Sequence, residues 1–367
     1  MKQVRFLLIG GFLGAGKTTT IARLARHYTD QGLRVGLVTN DQAYGLVDTH
    51  NLRSQGFDVG EVPGACFCCK FDDLIETAAK LGAEQQPDVI LAEPVGSCTD
   101  LSATVMQPLQ HLYGDHYQPG PLAVLCKPEH GRKILGGGTG GFSPQAAYIF
   151  LKQLEEAQVI VLNKIDRLSQ ADQGDLMKLL SVKFPDKKIL GASGTTGKGF
   201  SDLIAALESN SLPLGDPLEI DYDTYAEGEA ALGWLNSSVV FESETPWLLD
   251  EITEQLVDQF SQVLLKANME PGHIKVLASA EGATAVANWV SSDAPVELSV
   301  ASKLEVQTSN LLVNARAHGA PEELEQRVRD SILAVAATRG FDCEITSVQY
   351  FRPGRPEPVH RYKSPQG

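Results

Sequence analysis

Residues 4–18 read VRFLLIGGFLGAGKT, and this stretch decides the fold. Residues 4–10 form an apolar run, which is typical of a buried strand in a parallel sheet. Residues 11–18 match the phosphate-loop pattern GxxxxGK[ST], in which glycines let successive backbone N–H groups surround a phosphate at the start of a helix. The predicted phosphate contacts are Gly11, Gly14, Ala15, Gly16, Lys17, Thr18 and Thr19.

Four residues are predicted to act on the phosphates and on a magnesium ion. Lys17 would reach the β and γ phosphates, and the Thr18 hydroxyl would ligate Mg²⁺. Glu93 ends another apolar strand, and it is the candidate for the outer carboxylate of the metal. Gly96 follows three residues later, and its N–H is a candidate contact to the γ-phosphate.

Two further carboxylates follow the predicted strand over residues 34–40. Asp41, directly after Asn40, is a candidate second magnesium ligand or a carboxylate that orients the attacking water. For Asp41 and for Asp48, a role as a turn residue that caps a loop explains the sequence equally well.

A second motif indicates which base the nucleotide carries. Asn163-Lys164-Ile165-Asp166 follows an apolar strand, so it also lies at a strand's carboxyl end. An Asp there can accept hydrogen bonds from N1–H and the 2-amino group of guanine, whereas adenine has no such pair of donors. Asp166 alone could simply cap a helix, but with the upstream phosphate loop the motif favours guanine. Ser193, with Gly194, could close over the edge of the base.

The first half of the chain alternates between strands and helices. Such an alternation predicts an α/β fold, in which helices cover both faces of a mostly parallel sheet. Ligands of these sheets bind beyond the carboxyl ends of the strands. The predicted strands are 4–10, 34–40, 88–92, 122–126, 159–163 and 188–191, and the predicted helices are 18–28, 72–81, 100–112, 144–157, 170–184 and 200–208.

The second half has a different pattern, which predicts a smaller α+β domain. Its order resembles a ferredoxin-like split β-α-β plan with an inserted strand. The predicted strands are 237–242, 274–278, 296–300, 308–315 and 343–350, and the predicted helices are 247–266 and 321–338. We therefore divide the chain into a nucleotide-binding domain (1–210), an acidic linker (211–234), an α+β domain (235–350) and a flexible, basic, Pro-rich tail (351–367).

Three of the six cysteines occur within four residues, at Cys66, Cys68 and Cys69. In extended backbone, residues i and i+2 point the same way, so Cys66 and Cys68 converge, while Cys69 faces away unless the chain turns. Two convergent thiolates make half of a site for Zn²⁺ or a similar ion, and Cys69 or a second subunit could add a third ligand. Single buried cysteines are commonly structural, but three so close together favour metal. The isolated Cys98, Cys126 and Cys343 are interpreted as core or incidental residues.

The charge distribution excludes some classes of ligand. The chain has a net charge of −15, and residues 210–346 account for most of it with 23 acidic and 7 basic residues. Without a clustered basic face, nucleic acid is not expected as the main ligand. Without an apolar run of roughly 18 residues or a signal-like start, we expect a cytoplasmic protein that does not associate with membranes. The acidic second half is either a solvated surface or a docking face for a basic client.

With the phosphate loop, C-x-C-C, E-P-V-G and NKID in this order, the sequence resembles the CobW-type metal-chaperone GTPases, relatives of UreG and HypB. The resemblance is close over residues 4–209 and covers the second half only in its α+β plan. It implies a P-loop GTPase that binds GTP or GDP, Mg²⁺ and a transferable Zn²⁺, Co²⁺ or Ni²⁺. It also implies that hydrolysis releases the metal to a client metalloprotein or cofactor enzyme, and that the protein forms nucleotide-dependent homodimers.

By motif, the resemblance assigns each predicted site a role. The phosphate loop contacts phosphate and Mg²⁺, the three clustered cysteines bind metal, Glu93 and Gly96 form the hydrolysis switch, and Asn163 and Asp166 contact guanine. The sequence departs from the family at Ala65, where glycine is usual, and in lacking a histidine-rich loop. Residues 136–141 (GGGTGG) form an additional glycine stretch that resembles a lid or a client-contact loop.

Three other functions are compatible with parts of this pattern. The nearest alternative is a GTPase that activates a metal-cofactor or corrinoid enzyme, with regulatory cysteines. A P-loop small-molecule kinase needs neither NKID nor the cysteines, so the sequence argues against it. A pure nucleotide-binding module would lack turnover. Among GTPases, slow turnover is expected because no arginine finger is evident in the chain.

Overall fold

The computed structural model describes residues 3–42, 47–85, 87–209 and 212–363. Two sheets organise these residues, and the sequence-based prediction of an α/β domain followed by a smaller α+β domain is confirmed. Within these ranges, no helix combines the length and the apolar character needed to cross a lipid bilayer.

The first sheet is parallel and has the order β3-β2-β4-β1-β6-β7-β8, with β5 paired to one end of β1. The central strand β1 therefore delivers the phosphate loop to the middle of the carboxyl edge. The strands are β1 Val4–Gly11, β2 Val35–Asp41, β3 Val59–Pro63, β4 Val89–Glu93, β5 Tyr117–Pro119, β6 Ala123–Cys126, β7 Val159–Leu162 and β8 Lys188–Gly191. The helices are α1 Lys17–Asp30, α2 Val47–Ser54, α3 Phe71–Gln85, α4 Gln107–Tyr113, α5 Pro128–Leu135, α6 Pro144–Glu156, α7 Gln170–Lys183 and α8 Phe200–Glu208.

Some elements of this domain differ from the prediction. The helix predicted over 100–112 begins as a π-helical turn at Ser102–Met106 and only then continues as α4. The sequence did not predict α2, β3, β5 or α5, because these elements are short and carry polar residues that hide the apolar period. The glycine stretch 136–141 follows α5, and a Cβ on Gly141 would lie 2.9 Å from the Glu270 side chain, so this stretch packs closely against the second domain.

The second sheet is antiparallel, with the order β12-β11-β10-β13-β9-β14. Helices α10 and α11 cover one face of it, which gives the predicted split β-α-β plan. The insertion contains two strands, and the unpredicted one is β11. The elements are α9 Tyr222–Ala230, β9 Leu232–Leu248, α10 Leu249–Lys266, β10 Pro271–Ala280, β11 Ala283–Trp289, β12 Glu297–Val300, β13 Glu305–His318, α11 Pro321–Arg339 and β14 Asp342–Phe351.

The segment that was predicted as an acidic linker contains a packed helix. Asp221 caps α9 by accepting hydrogen bonds from the backbone N–H groups of Asp223 and Thr224. Tyr225 and Glu229 of this helix are buried, and α9 packs against α6 of the first domain. The acidic composition suggested a linker, whereas Tyr225 and Glu229 on one face of α9 are buried.

Residues 352–363 of the tail have no regular secondary structure, as their proline content indicates, and they lie along the first domain. The backbone N–H of Val359 donates to the Cys68 carbonyl over 2.9 Å, and that of Tyr362 donates to the Ala103 carbonyl over 3.0 Å. Arg361 forms an ion pair with Asp100 at 2.7 Å. These contacts fix the described part of the tail in place.

The two domains share a buried polar interface. Arg316 on β13 is fully buried, and its guanidinium donates to the Leu235 carbonyl at 2.8 Å and to Asp41 at 3.1 Å. It also lies over the Trp234 ring, 4.2 Å from the centroid, in a cation–π contact. Burial lowers the pKa of Arg316, while Asp41 acts against this shift. The guanidinium therefore links the end of β2 to the second sheet.

A second set of contacts at the same interface comes from residues of the first domain, Lys127 and His130. The buried Lys127 of the first domain donates to the carbonyls of Gly272 at 3.1 Å and Val290 at 2.7 Å. His130 is 2.7 Å from a carboxylate oxygen of Glu270. Burial lowers the pKa of His130 to about 3, so the imidazole is neutral at physiological pH.

We predict that Arg316→Ala destabilises the protein by about 3 kcal/mol, because it leaves the partly buried Asp41 carboxylate and three other acceptors without their cation. Urea unfolding followed by circular dichroism measures the change. The matched control is Arg327→Ala, which removes an exposed i,i+4 ion pair with Glu323 and is expected to cost about 0.5 kcal/mol or less. Equal losses in the two variants would contradict the assigned role of Arg316.

Candidate functional site

The phosphate loop has the backbone shape that its glycines allow. Gly14 and Gly16 have φ of 72° and 92°, in the left-handed region. A Cβ on Gly16 would lie 2.5 Å from the Asn163 amide nitrogen, so no larger residue fits there. The Lys17 ammonium donates to the Gly11 carbonyl over 2.8 Å and thus folds back over the loop. The loop can therefore present its N–H groups, the start of α1 and one ammonium to a phosphate.

Thr18 is the centre of a polar group at the start of α1. Its hydroxyl is 2.7 Å from an Asp48 carboxylate oxygen and 3.1 Å from Glu93 Oε1. One hydroxyl between two carboxylates is a donor set that suits Mg²⁺, which prefers oxygen ligands. The predicted ligands Thr18 and Glu93 are thus brought together, and Asp48 joins them from α2.

A cation from the second domain completes this group. The Lys275 ammonium on β10 lies 2.6 and 2.5 Å from the two carboxylate oxygens of Asp48. Burial raises the pKa of Asp48, but Lys275, Thr18 and Lys17 together lower it more, and the net shift is downward. Burial, reinforced by the nearby Asp48 charge, raises the pKa of Glu93 to about 7. Burial also lowers the pKa of Lys17, and Lys275 adds to this effect.

These groups line a cavity of about 490 Å³ between the two domains. The first domain contributes the phosphate loop, Glu93, Asn163 and Lys164. The second domain contributes a wall from β10, β11 and β12. The volume and the mixed polar lining are those of a small-molecule site. The wall residues are His273, Lys275, Val286, Asn288, Val290, Glu297, Leu298, Ser299 and Val300.

Of the predicted base-binding residues, Asn163 and Lys164 line this cavity, whereas Asp166 and Ser193 are not among its lining residues. Asn163 holds two loops together: its amide donates to the Ala15 carbonyl over 2.8 Å, and its Oδ1 accepts from the Gly194 N–H over 3.2 Å. Lys164 lines the cavity with a left-handed φ of 58°. Asp166 is exposed in the 3₁₀ turn Ile165–Arg167, and Ser193 is buried.

Asp41 and Gly96 both line the cavity. Asp41 forms an ion pair with Arg316, which directs this carboxylate toward the second domain. Gly96 packs against the phosphate loop so closely that a Cβ would lie 2.6 Å from a Leu13 methyl group. The position of Gly96 fits the predicted contact to a terminal phosphate.

The three clustered cysteines lie in a turn rather than in an extended segment. The N–H groups of Cys69 and Lys70 both donate to the Cys66 carbonyl over 3.0 Å. The turn places the Sγ atom of Cys66 2.8 Å from that of Cys68 and 3.2 Å from that of Cys69. All three sulfur atoms lie within 4.8 Å of one another. Cys69 therefore joins the other two thiols in one group of soft ligands for a metal ion.

The three thiols differ in the direction of their pKa shifts. Hydrogen bonds from Cys68 and Cys69 hold the pKa of Cys66 well below its ordinary value. The hydrogen bond to Cys66 raises the pKa of Cys68, and it raises that of Cys69 to about 11. The turn thus favours deprotonation of Cys66 over that of Cys68 and Cys69, and a bound cation would favour further deprotonation.

Asn40 connects the cysteine turn to the cavity. This buried residue near the end of β2 lines the cavity. Its amide nitrogen is 2.7 Å from the carbonyls of Val62 and Ala65, and its Oδ1 accepts from the Phe67 N–H over 2.8 Å. The backbone on both sides of Cys66 is therefore held by a residue adjacent to Asp41.

Sequence reasoning missed Lys275 and the other wall residues of the second domain. An isolated lysine in an alternating strand carries no motif. The only available signal was that residues 210–346 contain few basic residues, so each of them is unusual. Asp48 was recognised, but a turn role explained it equally well.

A sequence-family model for the CobW/HypB/UreG nucleotide-binding domain matches residues 5–190. The zinc chaperone YeiR of Escherichia coli is 28% identical over 191 residues, which are 51% of this chain and 55% of YeiR. The zinc chaperone CobW of a Sinorhizobium species is 39% identical over 97 residues, which are 24% of this chain and 27% of CobW. The chain thus spans little more than half of the first relative and about a quarter of the second.

Among solved structures, the Zn(II)-bound YjiA GTPase of Escherichia coli is similar over 91% of this chain and 99% of that chain. Its sequence identity is 14% and its TM-score is 0.36.

We predict that Glu93→Gln stabilises the ligand-free protein more at pH 8 than at pH 5. The folded protein holds the Glu93 proton more tightly than the unfolded chain, so wild-type stability falls as the pH rises from 4.5 to about 7. The neutral amide avoids this loss, which amounts to about 3 kcal/mol. Urea unfolding at both pH values measures the difference. Glu76→Gln, at an exposed position, is the control, and a pH-independent effect of Glu93→Gln would contradict the prediction.

Proposed function

Because the chain belongs to the CobW/HypB/UreG family of nucleotide-binding proteins, we propose that it is a GTP-hydrolysing metallochaperone. It binds a thiophilic divalent ion at Cys66, Cys68 and Cys69 and delivers it to a client protein. The observation that carries the proposal is the connection between the two sites, in which Asn40 lines the phosphate cavity and holds the cysteine turn. Two relatives are zinc chaperones, which supports zinc as the ion.

The cavity residues have separate roles in this proposal. Lys17 and the loop N–H groups bind the β and γ phosphates, and Asp166 accepts from guanine. Thr18 and Glu93 would hold Mg²⁺, with Asp48 in the same group, and the ion would neutralise phosphate charge. Hydrolysis adds water to the γ-phosphorus and breaks its bond to the β–γ bridging oxygen, which gives GDP and phosphate. The Gly96 N–H contacts the γ-phosphate, and Asp41 orients the water.

Lys275 supplies the positive charge that the sequence did not reveal. Its ammonium lies on Asp48, in the same group of charges as Lys17 and Glu93. Charge develops on the equatorial oxygens of the γ-phosphate during transfer, and a fixed cation there stabilises the transition state. We propose that Lys275 contacts the γ-phosphate from the second domain, as an arginine finger supplied within one chain does in other GTPases.

The coupling of the nucleotide cavity and the cysteine turn follows from the residues that connect them. A nucleotide that draws on Thr18, Glu93 and Asp48 changes the charges around the ends of β2 and β4. Asn40 transmits a shift of β2 to both sides of Cys66 through three hydrogen bonds. A bound GTP therefore sets the geometry of the thiols, and hydrolysis changes it.

We propose that the client is a metalloprotein or cofactor enzyme, that GTP promotes homodimers, and that the protein acts in the cytoplasm.

We predict that GTP with Mg²⁺ raises the affinity for Zn²⁺ by about tenfold, since a coupling free energy of 1 to 3 kcal/mol is typical between linked sites. Competition titrations with a chromophoric chelator, using nucleotide-free protein and protein loaded with a non-hydrolysable GTP analogue, measure it. Cys66→Ala/Cys68→Ala is expected to abolish tight binding, whereas Cys343→Ala, at an isolated cysteine, leaves it unchanged. Equal affinities with and without nucleotide, or Zn²⁺ binding unaffected in the double variant, would refute the chaperone function and favour an activator GTPase with regulatory cysteines.

We predict that Lys275→Ala lowers kcat for GTP hydrolysis by about a hundredfold or more, because a cation at the γ-phosphate acts mainly in the transition state. Phosphate release at saturating GTP measures this, with Lys17→Ala as an inactive reference. Lys303→Ala, on the same domain but outside the cavity, is the matched control. Lys275→Arg is expected to recover part of the rate. Unchanged turnover in Lys275→Ala would show that Lys275 only holds Asp48.

A further inference from the structure

The second sheet presents a row of polar side chains to the nucleotide cavity. Lys275 on β10 is paired with Asn288 on β11, and Asn288 is paired with Glu297 on β12. Directly opposed residues of antiparallel strands project from the same face of the sheet. All three residues line the cavity. We call Lys275, Asn288 and Glu297 the polar row.

The face that carries the polar row is seated on the first domain by polar and apolar contacts. Asn314 on β13 is paired with Lys275, and its Oδ1 accepts a hydrogen bond from the Val47 N–H over 2.9 Å. Leu277 and Val286 form a buried apolar cluster with Val47. Because Val47 begins α2 of the first domain, these contacts fix the position of the row at the cavity.

The polar row runs from the phosphate end of the cavity toward the segment proposed to contact the base. The Lys275 ammonium contacts Asp48, beside the phosphate loop. Glu297 forms an ion pair with Arg167, which directly follows Asp166, the proposed guanine contact. Because neighbouring strands are about 4.8 Å apart, two strand spacings separate the ends of the row by roughly 10 Å. A triphosphate chain with its ribose has a similar length, so a bound nucleotide and the row would lie side by side.

The order of charges along the row matches the chemistry of a nucleotide. The ammonium lies at the end where the terminal phosphates bind, and the carboxylate lies two strands away from it. A carboxylate only accepts hydrogen bonds, so a phosphate offers it nothing, whereas a ribose offers two hydroxyl donors. Hydrogen bonds to an ionised acceptor are also stronger than those between neutral groups. The row therefore suits a ligand that is anionic at one end and carries hydroxyl groups at the other.

The side chain in the middle of the row is held in one orientation. The Asn288 amide nitrogen donates to the Ser299 hydroxyl over 2.7 Å, and that hydroxyl donates to the Val286 carbonyl over 3.2 Å. An amide nitrogen carries two N–H groups, so the second one can donate to a ligand. A neutral donor between the ammonium and the carboxylate suits the α-phosphate, which lies between the terminal phosphates and the ribose.

We propose that Glu297 binds the 2′- and 3′-hydroxyl groups of the ribose, an assignment that rests on the proposed GTP-hydrolysing function. Its two carboxylate oxygens have about four lone pairs in total, so Glu297 can hold Arg167 and still accept from the sugar. The motifs of the first domain contact the phosphates and the base, and the second domain contacts the sugar. The protein therefore binds guanosine nucleotides more tightly than analogues that lack the two hydroxyl groups.

Calorimetric titration of the full chain with GDP and with 2′,3′-dideoxy-GDP, both with Mg²⁺, tests the proposal. The wild type is expected to bind the dideoxy nucleotide about tenfold or more weakly, because the analogue leaves a charged acceptor without its donors. Glu297→Ala is expected to lose this discrimination, and Glu297→Gln, which keeps an acceptor oxygen, is expected to retain part of it. Glu305→Ala, at an exposed position of the same domain, is the matched control and should resemble the wild type.

A further variant separates contact with the sugar from contact between the domains. If Glu297 only held Arg167, its loss would change both affinities in proportion and leave their ratio unchanged. Arg167→Ala breaks the same ion pair but keeps the carboxylate, so it is expected to preserve the discrimination between the two nucleotides. Loss of the discrimination in Arg167→Ala as complete as in Glu297→Ala would overturn a direct contact of Glu297 with the ribose.

The inference and the proposed function fail in different ways. If the wild type binds both nucleotides equally, or if Glu297→Ala discriminates as well as the wild type does, the ribose contact is rejected and the proposed function stands. If the wild type binds neither nucleotide, the proposed function itself is rejected. The ratio of affinities in the wild type is measured on the unaltered protein, so it does not depend on how a variant folds.

Discussion

The ion pairs between the second sheet and the carboxylates beside the phosphate loop are the interaction on which the rest of the structure depends. Lys275 and Arg316 are largely or fully buried, and each meets an aspartate of the first domain. Removing such charges from water is costly, so the pairs add little net stability, but a shift of the two sheets relative to each other would leave both cations without their carboxylates. That geometry closes the nucleotide cavity with β10, β11 and β12, and it positions β2, from which Asn40 reaches the cysteine turn.

The sequence predicted those parts of the site that are local in the chain. Each of these parts is a short segment whose chemistry can be read without its neighbours in space: the phosphate loop, the carboxylate at the end of β4, and the three clustered cysteines. The parallel sheet and the split β-α-β plan followed from apolar periodicity. The remaining parts are contacts between distant residues: Asp48 meets Lys275, and Ser97 meets Glu229. A single lysine or glutamate has no periodic or spacing signal, so its partner becomes visible only in three dimensions.

The same reasoning explains why composition did not reveal the helix in the acidic segment before the second sheet. Residues 211–234 contain several acids and prolines, which favour a linker, yet Tyr225 and Glu229 of α9 are buried and the helix packs against the first domain. Composition reports the average exposure of a segment and not which face of a short helix is covered. In residues 210–346 the abundant acids are mostly surface groups, whereas the rare cations Lys275 and Arg316 lie at the interface. In this part of the chain, the few basic residues therefore indicate the interface better than the net charge does.

The position of the tail has a consequence for kinetics. Its backbone donates to the sulfur of Cys69 at 3.2 Å through Glu357 and to the carbonyl of Cys68 through Val359. Any molecule that approaches the cysteine turn from this side competes with a segment tethered to the same chain, whose effective concentration does not fall on dilution. Exchange at the thiols from this side therefore has a rate ceiling set by how often the tail detaches. The two hydrogen bonds from Glu357 and Val359 must break before such a molecule can take their place.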